Sequence, residues 1–241
     1  MKPSRYSMIA ILLLTVGLLS GCSFVRGSGH VISEMRNVSN FDRIDLSGSG
    51  DVIITQGEEE SLTVETDDNL MPHIVTTVSG GTLHLGQRNE PFNILDPTQL
   101  TFRVQVKDLT GVDISGSGSV SAGAITTDRL ALDISGSGTI KLEQLTADQV
   151  TATISGSGSA QMAGTAPQST IEISGSGATR FGDLRSDQID INVSGSGTAT
   201  VWAMETLDVH LSGSGSVSYY GNPTVNSSAS GSGTVRSLGA K

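Results

Sequence analysis

The stretch Val112-Asp113-Ile114-Ser115-Gly116-Ser117-Gly118-Ser119-Val120-Ser121-Ala122 decides how the rest of this chain is read. Val112 and Ile114 alternate with a polar Asp113 up to a Ser-Gly-Ser-Gly tetrad, after which alternation resumes with Val120 and Ala122. Period-two alternation marks a strand with one buried and one wet face, so the stretch predicts two strands joined at a sharp glycine corner. Working outward, the tetrad starts at Ser47, Ser115, Ser135, Ser155, Ser174, Ser194, Ser212 and Ser230. The last seven starts are 20, 20, 19, 20, 18 and 18 residues apart, which is the length of a solenoid coil.

Gly-Ser repeats also occur in flexible linkers, and the flanks decide against that reading. Before the tetrads stand the pairs Ile44/Leu46, Leu132/Ile134, Ile171/Ile173 and Ile191/Val193, each split by one polar residue. After them stand Val52/Ile54, Ile140/Leu142, Thr179/Phe181 and Val217/Tyr219. A third apolar position follows, as at Leu145, Leu184 and Leu207, beside polar breakers such as Thr146-Ala147-Asp148, so each repeat bends at two or three places. One coil cannot bury its own inner face. Stacked coils share a continuous core and pair strand to strand about 4.8 Å apart, which predicts a parallel β-helix with coils of about 20 residues. The tetrads hold 16 of the 30 glycines, as corners without room for a Cβ require, and their serines are expected to stack along one edge.

Between the first two tetrads the register is lost, since their starts are 68 residues apart. This segment still reads as strands at Leu62-Thr63-Val64, Ile74-Val75-Thr76, Leu83-His84-Leu85 and Phe102 to Val106, with Ser79-Gly80-Gly81 as a tight turn. Gln87 to Gln99, with Pro91 and Pro97, reads as a loop or lid. The expected organisation is a signal peptide over 1–21, a tether over 22–40, irregular coils over 41–110 and regular coils over 111–241. The last coil is degenerate, with Ser227 and Ala229 in place of large apolar residues, which suits a cap.

Composition excludes several classes. A net charge of −10, from 14 basic against 24 acidic residues, lacks the positive field that phosphate binding needs, so nucleic acid is not an expected partner. With 36% hydrophobic and only 16% charged residues, the chain is also not a solvated disordered polymer. Lys2 and Arg5 precede an apolar run from Met8 to Leu19, too short to span a bilayer and followed by Ser20 and Gly21, the pattern of a secretory signal. Leu19-Ser20-Gly21-Cys22 resembles the bacterial lipobox, in which the cysteine sulfur receives a lipid before cleavage. Cys22 is the only cysteine, so lipidation there would leave no disulfide. Ser23, where an Asp would retain such a protein at the inner membrane, implies an outer membrane lipoprotein. The membrane is thus an expected partner through the lipid on Cys22.

The chain further resembles the bacterial head GIN domain proteins, described as putative auto-transporter adhesins. The resemblance rests on Phe41-Asp42-Arg43-Ile44-Asp45-Leu46-Ser47-Gly48-Ser49-Gly50-Asp51-Val52, on Asp68-Asn69-Leu70, and on Leu109 leading into Val112-Asp113-Ile114 and the second tetrad. It covers residues 38 to 238 and implies an all-β, right-handed parallel β-helix on a cell-envelope protein. It implies no catalytic residues.

Residue chemistry offers few sites. Asp113 and Asp133 stand at equivalent positions one coil apart, with Asp45 before them, and paired carboxylates can bind Ca²⁺ or act as acid and base. A solvated outer face is the simpler reading, because no basic residue recurs there. His30, His73, His84 and His210 lack zinc-ligand spacing, and the tetrad is not the Gly-x-Ser-x-Gly nucleophile elbow. Trp202, Tyr219 and Tyr220 cluster in the late coils; Val201 is expected inward and Trp202 outward, where an aromatic can stack on a sugar or a protein partner. No cofactor or metal is expected. The leading expectation is a non-enzymatic envelope scaffold or adhesin that binds carbohydrate or an envelope protein. The alternatives are a polysaccharide-active enzyme using Asp113 and Asp133, and a structural protein that stacks end to end.

Overall fold

The computed structural model describes residues 23–88 and 93–241. The expected signal peptide, Cys22 and Pro91 lie outside the described residues. In chain order the strands are β1 (Ser23–Arg26), β2 (Val31–Arg36), β3 (Arg43–Gly48), β4 (Asp51–Gln56), β5 (Ser61–Asp67), β6 (Ile74–Ser79), β7 (Thr82–Gln87), β8 (Asn93–Asp96), β9 (Leu100–Val106) and β10 (Gly111–Gly116). There follow β11 (Ser119–Gly136), β12 (Thr139–Gly156), β13 (Ser159–Thr165), β14 (Gln168–Gly175), β15 (Ala178–Gly195), β16 (Thr198–Gly213), β17 (Ser216–Tyr220), β18 (Thr224–Gly231) and β19 (Thr234–Gly239).

The fold is the β-solenoid that the tetrads predict, with about six turns and parallel pairs about 20 residues apart. One face stacks the strand segments that lead into the tetrads, in the order β7, β3, β10, β11, β12, β14, β15, β16, β18. A second stacks the segments that follow them, in the order β9, β4, β11, β12, β13, β15, β16, β17, β19. The 18-residue β11 shows how one coil turns. Its buried residues alternate singly except at Gly123-Ala124 and Asp128-Arg129, where two exposed residues adjoin. Each such pair marks a corner, and with the tetrad this gives three bends per coil. β12 repeats the pattern at Glu143-Gln144 and, with Gln149 half-buried, at Asp148-Gln149.

Register fixes the core. Ile44, Val112, Leu132, Ala152, Ile171, Ile191 and Val209 form one buried column, each paired with the next. Burying each large aliphatic member stabilises the fold by about 1.5–3 kcal/mol relative to exposure. Thr179 breaks a second column at an inward position; it is 1% exposed and its Oγ1 has no hydrogen-bond partner among the described residues. Thr179→Val keeps the shape and removes an unsatisfied hydroxyl. It is expected to stabilise the chain by about 1 kcal/mol and raise Tm by about 2–4 °C in a thermal melt.

The segment between the first two tetrads departs from the irregular coils expected of it. All the predicted strands are present, but β5 and β6 run backwards. β6 pairs antiparallel with β7 through Gly80 and Gly81, whose φ values of 58° and 81° make the primed turn that matches strand twist. β5 pairs antiparallel with β9, and β2 antiparallel with β5, so an antiparallel layer covers this end of the stack. Residues 22–40, expected as a tether, contain β1 and β2, and the expected loop from 87 to 99 contains β8, which pairs in parallel with β1. At the other end Ser227 and Ala229 are exposed, and β18 and β19 each pair, among the described residues, only with the preceding coil.

Candidate functional site

Among the described residues, four surfaces carry chemistry. The first is at residues 26–30, just after the expected lipidation position, where three polar residues at the end of β5 and beyond it hold the incoming chain. Asp67 is fully buried and accepts hydrogen bonds from the backbone N–H of Gly29 at 2.7 Å and of Thr98 at 2.7 Å. Asp68 accepts from the Ser28 hydroxyl at 2.6 Å, while Asn69 accepts from Ser28 N–H at 2.9 Å and donates to the Arg26 carbonyl at 2.9 Å. Gly27 must lack a side chain, because a Cβ there would lie 2.2 Å from Asp67 Oδ2. These bonds clamp the segment before β2 to the loop after β8. The sequence contained Asp68 and Asn69 as part of a recognisable motif but gave no sign that Asp67 was the buried centre.

Desolvation raises the Asp67 pKa, but the N–H groups of Thr98 and Gly29 outweigh it and leave the carboxyl below its ordinary value. A depressed folded-state pKa contributes stability that is present above the unfolded value and lost as pH falls through the folded one. The clamp is therefore expected to loosen only below about pH 3.9. Asp67→Ala should reproduce that release at neutral pH. The check is limited trypsin digestion, which is expected to cut after Arg26 in the variant well before the body is degraded, and to spare that bond in the wild type.

The second surface is the acidic stripe. Asp45, Asp113 and Asp133 occupy paired positions on β3, β10 and β11, as the repeat predicts. Arg43 lies across the stripe with Nη2 2.9 and 3.3 Å from the two Asp113 oxygens. Asp45 bonds His84 Nδ1 at 2.8 Å, and Asp133 accepts from Ser135 at 3.3 Å. The basic partner missing from the repeat comes from the first coil, where a count along later coils could not find it. His84 Nε2 also lies 3.0 Å from Ser79 Oγ, so Ser79, His84 and Asp45 stand in the order of a hydrolase relay. Ser79 is exposed and the His84 side chain is 40% exposed on the solvent side of the sheet. Relay catalysis draws its strength from donors aimed at an oxyanion in a site closed to water. Here the three side chains bridge β3, β7 and the β6 hairpin, and the arrangement ties the reversed strands to the first coil.

The third surface is an open groove of about 590 Å³ along the corner that runs from Asp108 through Asp128 and Asp148 to Gln168. Asp108, Asp128 and Asp148 line it at successive coils, with Arg129, Gln149 and Gln168 beside them. Gln149, Gln168 and Gln188 stack in register and carry the polar lining into an adjoining hollow of about 270 Å³. The groove thus offers carboxylates, amides and one guanidinium at a regular rise, chemistry suited to a hydroxyl-rich ligand.

The fourth surface holds the aromatic residues. Val201 is buried and Trp202 half-buried on the outside, as alternation predicts. Trp202 pairs with Tyr220 on the next coil, whereas Tyr219 turns inward and packs against the core. Trp202 and Tyr220 therefore form an outer ledge to which Tyr219 adds nothing. Lys241 lies over it, a contact between residues so far apart that no local signal announced it.

Residues 40–223 match the model of a family described as "Putative auto-transporter adhesin, head GIN domain". No curated protein matches the chain. Among solved structures, a "putative adhesin" from Bacteroides fragilis is similar at 26% identity and a TM-score of 0.82, over 89% of this chain and all of that one. A "putative lipid binding protein" from Parabacteroides distasonis is similar at 26% identity and a TM-score of 0.74, over 90% of this chain and all of that one. A "putative adhesin" from Parabacteroides merdae shares the fold at 21% identity and a TM-score of 0.73, over 89% of this chain and 99% of that one.

Proposed function

The chain belongs to the head GIN domain family, and from that premise we propose that it is a non-enzymatic lipoprotein of the outer membrane whose β-solenoid is a rigid scaffold for binding a carbohydrate or an envelope protein. The observation that carries this reading is the open polar groove beside Asp108, Asp128 and Asp148, which repeats with the coils and faces solvent along its length. A rigid stack holds such groups at fixed spacing, so a repeating ligand binds them without ordering the protein first. The lipid on Cys22 supplies attachment, since acyl chains contribute about 0.8 kcal/mol per buried methylene and the acidic body is repelled by anionic headgroups. Because β1 begins at Ser23 and the Asp67 clamp follows at Gly29, the lipid would hold the body close to the bilayer.

Two measurements on cells test this. Metabolic labelling with a palmitate analogue is expected to mark the wild type and to miss Cys22→Ser, which should leave the membrane fraction. Protease added to intact and to lysed cells then gives the side: digestion on intact cells supports surface adhesion, and protection until lysis supports a partner inside the envelope. Unlabelled wild-type protein in the soluble fraction would overturn the lipoprotein reading. Glycan turnover that disappears in both Asp113→Asn and Asp133→Asn would overturn the non-enzymatic one. End-to-end stacking is a second reading, favoured by the one-sided pairing of β18 and β19. A monomer in sedimentation at high concentration would rule it out.

A further inference from the structure

The spacing of the tetrads shortens from 20 to 18 residues after Ser194, and the change leaves a step in the solenoid wall. In β15 Phe181 pairs with Val201 and Arg185 with Trp202, so Gly182, Asp183 and Leu184 have no counterpart in β16. Leu184 turns into the core, while Gly182 and Asp183 stand out over the ledge made by Trp202 and Tyr220. Gly182 lies so close that a Cβ on it would be 3.3 Å from Tyr220 Cε2. An open hollow of about 290 Å³ adjoins the bulge and the Tyr220 edge of the ledge, lined also by Gln161, Arg180, Thr200 and Lys241.

An ammonium group sits on the wall of that hollow, between the bulge and the ledge. Lys241 Nζ lies 5.1 Å from the Trp202 ring centroid and 5.3 Å from that of Tyr220, donates to the Gly182 carbonyl and pairs with Asp183 Oδ1. The pieces are complementary to one chemical group. A primary ammonium has three N–H donors, of which the carbonyl and the carboxylate take two, and the ring faces attract the cation through their quadrupoles. A quaternary ammonium has no donor for the carbonyl, and a guanidinium is a planar fork rather than a compact charge. Lys241 adjoins the end of β19, where Gly239 is held against Tyr220, so its local concentration is high and it fills the site ahead of any dilute amine.

We propose that Trp202, Tyr220, Asp183 and the Gly182 carbonyl form a binding site for a primary ammonium, filled within the chain by Lys241 and taken over by a lysine side chain of a partner protein. The net charge of −10 draws cationic partners to this body, and the step offers such a lysine a seat already built. The partner arm rests on the scaffold reading above; the ammonium site itself does not.

Trp202 is the only tryptophan, so its emission reports on the site directly. The full chain in detergent, as wild type and as Lys241→Ala, is titrated with n-butylammonium chloride at constant ionic strength. Lys241→Ala is expected to give a saturable change in emission with a half-point in the tens of millimolar, on the order expected for an exposed ion pair with two aromatic faces. The wild type, already occupied, should respond several-fold more weakly. Adding Asp183→Asn to Lys241→Ala should raise the half-point about threefold. Nα-acetyl-lysinamide should compete with butylammonium, and tetramethylammonium should not. No saturable response in Lys241→Ala with an unchanged circular dichroism spectrum, or an equal response to tetramethylammonium, overturns the proposal. These outcomes are independent of lipid labelling and cell-surface digestion, so a failure here is distinguishable from a failure of the envelope reading.

Discussion

Gly156→Ala is expected to destabilise the solenoid by about 3–5 kcal/mol, while Gly123→Ala leaves it unchanged or slightly more stable. Gly156 is the first glycine of a central tetrad corner and has φ at 124°, a region essentially closed to L-residues, which costs about 1–3 kcal/mol. A Cβ there would also stand 2.6 Å from the carbonyl oxygen of Gly136 on the coil beneath. That oxygen accepts a hydrogen bond from Ser157 N–H at 2.8 Å, so the coils cannot separate to make room without losing the bond that joins them. Overpacking against such a backbone adds about 1–3 kcal/mol. At Gly123 a Cβ would meet no atom of the described residues within 4 Å, and the residue lies at an exposed corner, so alanine there restricts only the unfolded chain, a gain of about 0.4–1 kcal/mol. Urea denaturation of the two variants checks the contrast. Equal stabilities would show that the corner tolerates a side chain and that the tetrad is not conformationally required. Ser155, exposed in the same corner, should tolerate alanine with little change.

Phe102→Ala should cost about 3–5 kcal/mol, and the loss should be confined to one end of the molecule. Phe102 is fully buried on β9, the strand at which parallel stacking gives way to antiparallel covering. It pairs with Val52 of β4 on one side and Val64 of β5 on the other, and its ring backs Gly50. In a stack where each coil touches only its neighbours, a defect at one end unfolds that end first. Hydrogen exchange is therefore expected to accelerate in β2, β5 and β9 while β12 and β15 keep their protection. Uniform acceleration would mean that the molecule unfolds as one unit and that the antiparallel layer is not a separable cap.

The N-terminal third shows where sequence reading stops. Leu62, Val64, Leu83, Leu85, Phe102 and Val104 each announced a strand and each is buried in one. Their direction was not legible, because side chains alternate with the same period whether a strand runs parallel or antiparallel to its neighbour. β2 was harder still: in Val31-Ile32-Ser33-Glu34-Met35-Arg36 only Ile32 and Arg36 are even half-buried, and such a polar, exposed run reads as a tether. The candidate sites divide in the same way. Asp45, Asp113 and Asp133 fall on one stripe because the repeat puts them there, and Trp202 faces outward because Val201 faces inward. Arg43 on Asp113, His84 on Asp45, and Lys241 over Trp202 join positions 39 to 70 residues apart, for which no local pattern exists.

The sequence by itself determined the repeating part of this protein: the coil length, the corners at the tetrads, the inward columns and the acidic stripe. Each of these follows from a period of two or of about 20, and periodicity survives in one dimension. Tertiary structure alone decided the direction of β5 and β6, the docking of residues 26–30 on Asp67, and the ammonium seat at the step within β15. These arise where the repeat is interrupted, and at an interruption the partner of a residue is set by which surfaces meet when the coils stack.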